Sequence, residues 1–160
     1  MKTKKQVGCL LAVLLFNPFT WVFVWMGLGQ WLDAHPEMGE NEEHVGWLPD
    51  EATNVSYYKT YSWTAYEFDI SEHGFKSWAI RWDLKEIEEE KSVRRYSYIP
   101  FRMREHEERM DFEEFFAEEE KHIATVAGGL YDEEDWDNGG GYHVVYDRKR
   151  RRAYFQSNKR

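Results

Sequence analysis

AYEFDISEHGFKSWA, residues 65–79, holds a strand pattern and a helix pattern joined at one serine. Tyr66, Phe68 and Ile70 recur at the period of two that a half-buried strand shows. Ser71 ends the alternation. Its hydroxyl suits a helix N-cap, and Glu72 falls in the first turn, where the helix dipole favours an acid. Beyond it Phe75, Trp78, Ala79 and Trp82 are three or four residues apart, which puts them on one apolar stripe. The spacing predicts a helix from Glu72 to about Asp83, packed through that stripe on a sheet.

Upstream, Tyr57, Tyr61 and Trp63 also alternate, but on the parity opposite to Tyr66, Phe68 and Ile70. One regular strand cannot bury both sets on one face, so a break is expected around Ser62 to Ala65. Downstream, HIATVAGGLY reads as a strand, DEEDWDNGGG as a loop, YHVVYD as a strand, RKRRR as a turn and AYFQS as the returning strand. Between them, Ser92 to Arg104 reads as a strand that Pro100 ends or places at an edge. Glu105 to Lys121 reads as a helix, with Met110, Phe112, Phe115 and Phe116 on one ragged face. The expected fold class is α+β: a small antiparallel sheet with one main packed helix.

The N-terminus is of another kind. Three lysines (Lys2, Lys4, Lys5) precede a stretch from Val7 to Leu32 without a charge, and acids follow from Asp33. Roughly 20 apolar residues cross a bilayer core of about 30 Å. Residues 10–32 are therefore expected to form a transmembrane signal anchor behind a cytoplasmic basic tail, residues 1–9. Trp21, Trp25 and Trp31 sit towards the outer end, as membrane-interface aromatics do. The lysines place the N-terminus inside and the rest outside. A cleaved signal peptide is the rival, but no A-x-A site follows the apolar run. Residues 33–46, polar with one proline and two glycines, read as a juxtamembrane linker before an extracytoplasmic α+β domain over 47–160.

Charge narrows the partners. Between Asp33 and Asp147, eleven basic side chains face thirty acidic ones, a net of −19. Phosphate repulsion then argues against nucleic acid. Cys9 is the only cysteine and precedes most of the apolar run, so neither lipidation there nor a disulfide within the domain is expected.

No chemical motif is complete. Set against a calcium-binding EF-hand loop from Glu133, the required glycine falls on Asn138 and the closing glutamate on Val144. The six histidines show no metal-ligand spacing, and His143 has the parity opposite to Tyr142, Val144 and Tyr146, so it is expected to face outwards. There is no nucleophile elbow and no phosphate loop. No metal, cofactor or catalytic residue is assigned. Two binding features remain. Arg148, Lys149, Arg150, Arg151 and Arg152 form a basic cluster suited to an anionic surface or to the chain's own acids. Tyr57, Tyr61 and Trp63 would supply aromatic faces for sugar rings or a partner's anchors, or else pack in the core. The sequence thus favours a non-enzymatic interaction domain that binds another envelope protein. A glycan-binding module is the alternative, and an enzyme of unrecognised type a third.

Three segments, LPDEATNVSYY, AYEFDISEHGFKSWA and GGGYHVVYDRKRRRAYF, together resemble a loose group of bacterial membrane-anchored or lipoprotein-like proteins without an assigned activity. The resemblance implies an exported small α+β domain. It carries no functional residue over to this chain.

Overall fold

The structure, a computed structural model, describes residues 18–108 and 111–159. It falls into two units that divide between His35 and Pro36.

In the first unit, helix α1 spans Pro18–Asp33 and is uncharged through Leu32. Its sixteen residues rise about 24 Å, short of a bilayer core. Among the described residues, no helix is long and apolar enough to cross a membrane. The expected span starts at Leu10. Its first part, like the basic tail before it, lies outside the described residues.

The second unit is α+β. Seven antiparallel strands run in the order β1 (Glu37–Glu42), β2 (Thr53–Lys59), β3 (Trp63–Asp69), β9 (Arg152–Asn158), β8 (Gly141–Asp147), β7 (Gly129–Asp135) and β4 (Lys85–Glu86). A second sheet pairs β5 (Lys91–Arg94) with β6 (Ile123–Val126). Helix α2 covers Glu72–Trp78, α3 Tyr98–Glu108 and α4 Phe112–Glu119.

Both faces of the large sheet are covered. On one, Phe75 and Ala79 of the α2 segment pack with Phe68, Val144, Tyr146 and Ala153 in the main core. Ser71 caps α2 by accepting a hydrogen bond from the Gly74 N–H at 3.0 Å. The helix ends at Trp78, earlier than its stripe suggests. A turn follows, in which the Trp82 N–H donates to the Ala79 carbonyl, and Trp82 packs on Phe155 and Tyr142. On the other face, Val93 and Val126 of the β5–β6 pair pack on Val145 and Tyr154, while Ile99 packs on Tyr58 and Ala65. Two clusters form there rather than one, because the fully buried Glu67 stands in the same face. Arg95 grips it with two hydrogen bonds, 2.7 and 3.1 Å long, and Arg152 lies 3.3 Å from it. The paired charges compensate the cost of burying the carboxylate.

Several expectations change. The break expected at Ser62 to Ala65 lies earlier, as a hairpin turn at residues 60–62 that parts Tyr57 from Trp63; Trp63 shares the unbroken β3 with Tyr66 and Phe68 but on its other face. Residues 92–104 are not one strand: β5 ends at Arg94, and Pro100 sits in the first turn of α3, where its missing N–H costs nothing. The acids Asp132 to Asp135 extend β7 instead of forming a loop, since Asp132 and Glu133 pair with Val144 and His143. Within the stretch read as a linker, Glu37–Glu42 joins the sheet beside β2, helped by the Lys59–Glu37 ion pair. The expected helical face over 105–121 is no core: Phe112 and Phe116 are exposed.

Candidate functional site

Where β3 begins and β9 ends, the side of the large sheet that faces β5 and β6 holds a cleft of about 290 Å³. Strand register explains its walls. Trp63 pairs with Asn158, which pairs with Gly141. Two residues along, Ala65, Gln156, His143 and Glu133 form the next row on the same face. The β7–β8 turn closes one end. There the Trp136 N–H donates to the Gly140 carbonyl at 2.9 Å, and the Gly139 N–H to the Trp136 carbonyl at 2.8 Å. Gly139 has φ +77°, a conformation that glycine adopts without strain. A Cβ on Gly141 would strike the Glu134 carbonyl oxygen, so glycine lets the two strands close up at this point.

Arg94 overhangs the cleft from the end of β5. Its guanidinium lies over the Tyr98 ring, 4.7 Å from the centroid. Its backbone is tied down by Gln156, whose Nε2 donates to the Arg94 and Arg95 carbonyls at 3.2 Å each. Asp135 lies at the end of β7 and supplies an opposite charge to the lining.

Two lining residues are unusual. His143 Nε2 and Asn158 Oδ1 are buried, and neither has a hydrogen-bond partner among the described residues. A buried polar atom left unpaired costs about 1–3 kcal/mol, so native folds keep few of them. Burial pushes the His143 pKa down to about 4, with the nearby Arg94 charge adding to the effect and Glu133 opposing it. At neutral pH the imidazole is uncharged, with one nitrogen a donor and the other an acceptor. The cleft therefore offers an aromatic wall, a neutral imidazole, an amide oxygen seeking a donor, and one charge of each sign.

No protein family, curated protein or solved structure is significantly similar to this chain. The resemblance to exported bacterial proteins rests on the quoted motifs alone, and the site is read from geometry.

The residues singled out in the sequence are scattered. Tyr57 stacks on Tyr66 with centroids 5.5 Å apart, on the helix side of the sheet. Tyr61 projects from the β2–β3 turn, 56% exposed. Trp63 alone reaches the cleft. The arginines engage acids of the same chain. Arg148 forks between Glu72 at 2.8 Å and Glu86 at 3.1 Å. Arg150 meets Asp147 at 2.6 Å and donates to the Thr125 carbonyl at 2.8 Å. Arg152 meets Asp69 at 2.6 Å. Lys149 and Arg151 occupy the exposed β8–β9 turn, Arg151 with φ +54°.

The expectation that His143 faces outwards is corrected. It does oppose Tyr142 and Val144 in parity, but its face is covered by the second sheet and α3, so it points inwards. The sequence held one hint of this place. Three consecutive glycines, Gly139 to Gly141, mark a close backbone approach next to a strand.

Proposed function

We propose that this chain is a non-enzymatic binding module for a small polar ligand, taken up in the cleft between Trp63, His143 and Asn158. The observation that carries the reading is the convergence of two buried, unpaired polar atoms on one cleft. A ligand that bonds both supplies partners that no described residue provides. The cleft's volume is at the lower end of the range typical of small-ligand sites. A docking surface for another protein has less support. The aromatic trio is divided between two faces and a turn, and three of the four clustered arginines are paired within the chain.

Membrane attachment through the apolar N-terminal segment, with the sheet domain on the outer side, belongs to the same proposal. The uncharged stretch to Leu32 and the lysines before it support that reading. The test is native mass spectrometry of the full chain after incubation with a small-molecule extract. A molecule kept by the wild type and lost from Asn158→Leu supports the reading. Equal retention by both, or none by either, overturns it.

A further inference from the structure

The chemistry of the cleft also selects the class of ligand, on the premise that the cleft binds one. We infer that the ligand is a neutral saccharide: one sugar ring lies on Trp63 while its hydroxyls bridge His143 Nε2 and Asn158 Oδ1. The argument begins with the unpaired atoms. The carbonyl-type Oδ1 of Asn158 accepts only, so its partner must carry an O–H or N–H. The neutral imidazole of His143 takes a donor or an acceptor at Nε2 according to its tautomer. The two residues are neighbours on one sheet face, since His143 pairs with Gln156 and Asn158 lies two positions beyond it. Sugar hydroxyls, each a donor and an acceptor, satisfy both requirements.

Charge excludes the obvious rivals. Arg94 and Asp135 contribute opposite signs to the lining, so a ligand with net charge gains at one and loses at the other. An anionic sugar or a nucleotide must also approach a body with a net charge of −12 from Asp33 to Arg160. Trp63 lines the cleft and supplies apolar ring surface against which the C–H groups of a sugar can bury area. It packs beside the Tyr58, Ala65 and Ile99 cluster rather than in the main core with Trp78 and Trp82.

Both unpaired atoms lie beneath the cleft surface, so binding requires small rotations of the two side chains towards the ligand. A bridging water is the competing occupant, because one water can also donate to Asn158 and meet His143. The two occupants separate by experiment. Titration calorimetry on the full chain would use neutral oligosaccharides of glucose, galactose, mannose and N-acetylglucosamine, with oligogalacturonate and adenosine alongside. Binding of a neutral oligosaccharide, with no binding of the other two, is expected. His143→Phe and Asn158→Leu should each weaken it by about tenfold or more. Unchanged near-ultraviolet circular dichroism would show that the variants are folded.

Failure of every neutral oligosaccharide at millimolar concentration would overturn the assignment, and so would stronger binding of oligogalacturonate or adenosine. If native mass spectrometry still finds a molecule that depends on Asn158, the binding module stands and only the ligand class falls. If it finds none, both fall and the cleft holds water.

Discussion

His143 and Gln156 stand opposite each other in the β8–β9 ladder, yet only one of them has its side chain settled. Gln156 Nε2 reaches the carbonyls of Arg94 and Arg95, whereas His143 Nε2 has no hydrogen-bond partner among the described residues. The first residue pins the second sheet onto the first. The second leaves a group beside the cleft waiting for a partner.

The depressed His143 pKa gives a sign that stability measurements can read. Unfolded histidine takes up its proton near pH 6.5, while folded His143 stays neutral down to about 4. Between these values the unfolded state binds the extra proton, so stability falls as pH drops from about 6.5 to about 4. His143→Phe should flatten that slope by up to about 1.4 kcal/mol per pH unit, measured from urea midpoints across the window. An unchanged slope would mean that the imidazole is solvated.

Glu67 is the buried charge on which the second-sheet side depends. Glu67→Ala releases the part-exposed Arg95 and leaves the mostly buried Arg152 held by Asp69 alone. Breaking a buried pair from one side costs about 3–5 kcal/mol, and the remaining Arg152–Asp69 pair keeps the loss at or below the lower end of that range. Arg95→Ala should cost less, because Arg95 is part-exposed and Arg152 remains beside the carboxylate. Chemical denaturation of the two variants gives the order.

The Ser71 cap can be tested by itself. Ser71→Ala removes the acceptor for the Gly74 N–H and the donor to Glu51 and should destabilise the fold by about 1 kcal/mol, while Ser71→Thr, which keeps the hydroxyl, should restore most of that. Thermal melts of the three proteins would show it. A neutral Ser71→Ala would mean that packing of Phe75 and Trp78 alone holds the helix.

Arg148 holds the Glu72 carboxyl down at about 2, with Lys76 assisting. What this pairing contributes is present above the ordinary carboxylate range and is lost as pH falls through about 2. In Arg148→Met the Glu72 side chain should titrate nearer its ordinary value. Carbon-13 pH titration of its carboxyl follows this directly.

What could be read in the sequence was local. Ser71 followed by the Phe75, Trp78 and Ala79 stripe, and the β8–β9 hairpin around the arginines, carry their signals within a few residues. What could not be read depends on distant pairing. EMGENE becomes a strand only because β2 offers it an open edge. His143 turns inwards because Val93, Val126 and Ile99 arrive from residues 91–126 to cover its side of the sheet. The site itself is of this kind: Trp63, Arg94, His143 and Asn158 come from four strands, and no short motif links them.

The central claim, that a bound molecule meets His143, is tested most directly by long-range proton–nitrogen NMR of the histidine side chains in the full chain. Spectra would be recorded at neutral pH before and after saturation with a neutral oligosaccharide. The account predicts a neutral imidazole whose Nε2 resonance moves on saturation while those of His44 and His73 stay in place. An Nε2 resonance that does not move, under conditions where calorimetry reports saturation, would place the ligand elsewhere and contradict it.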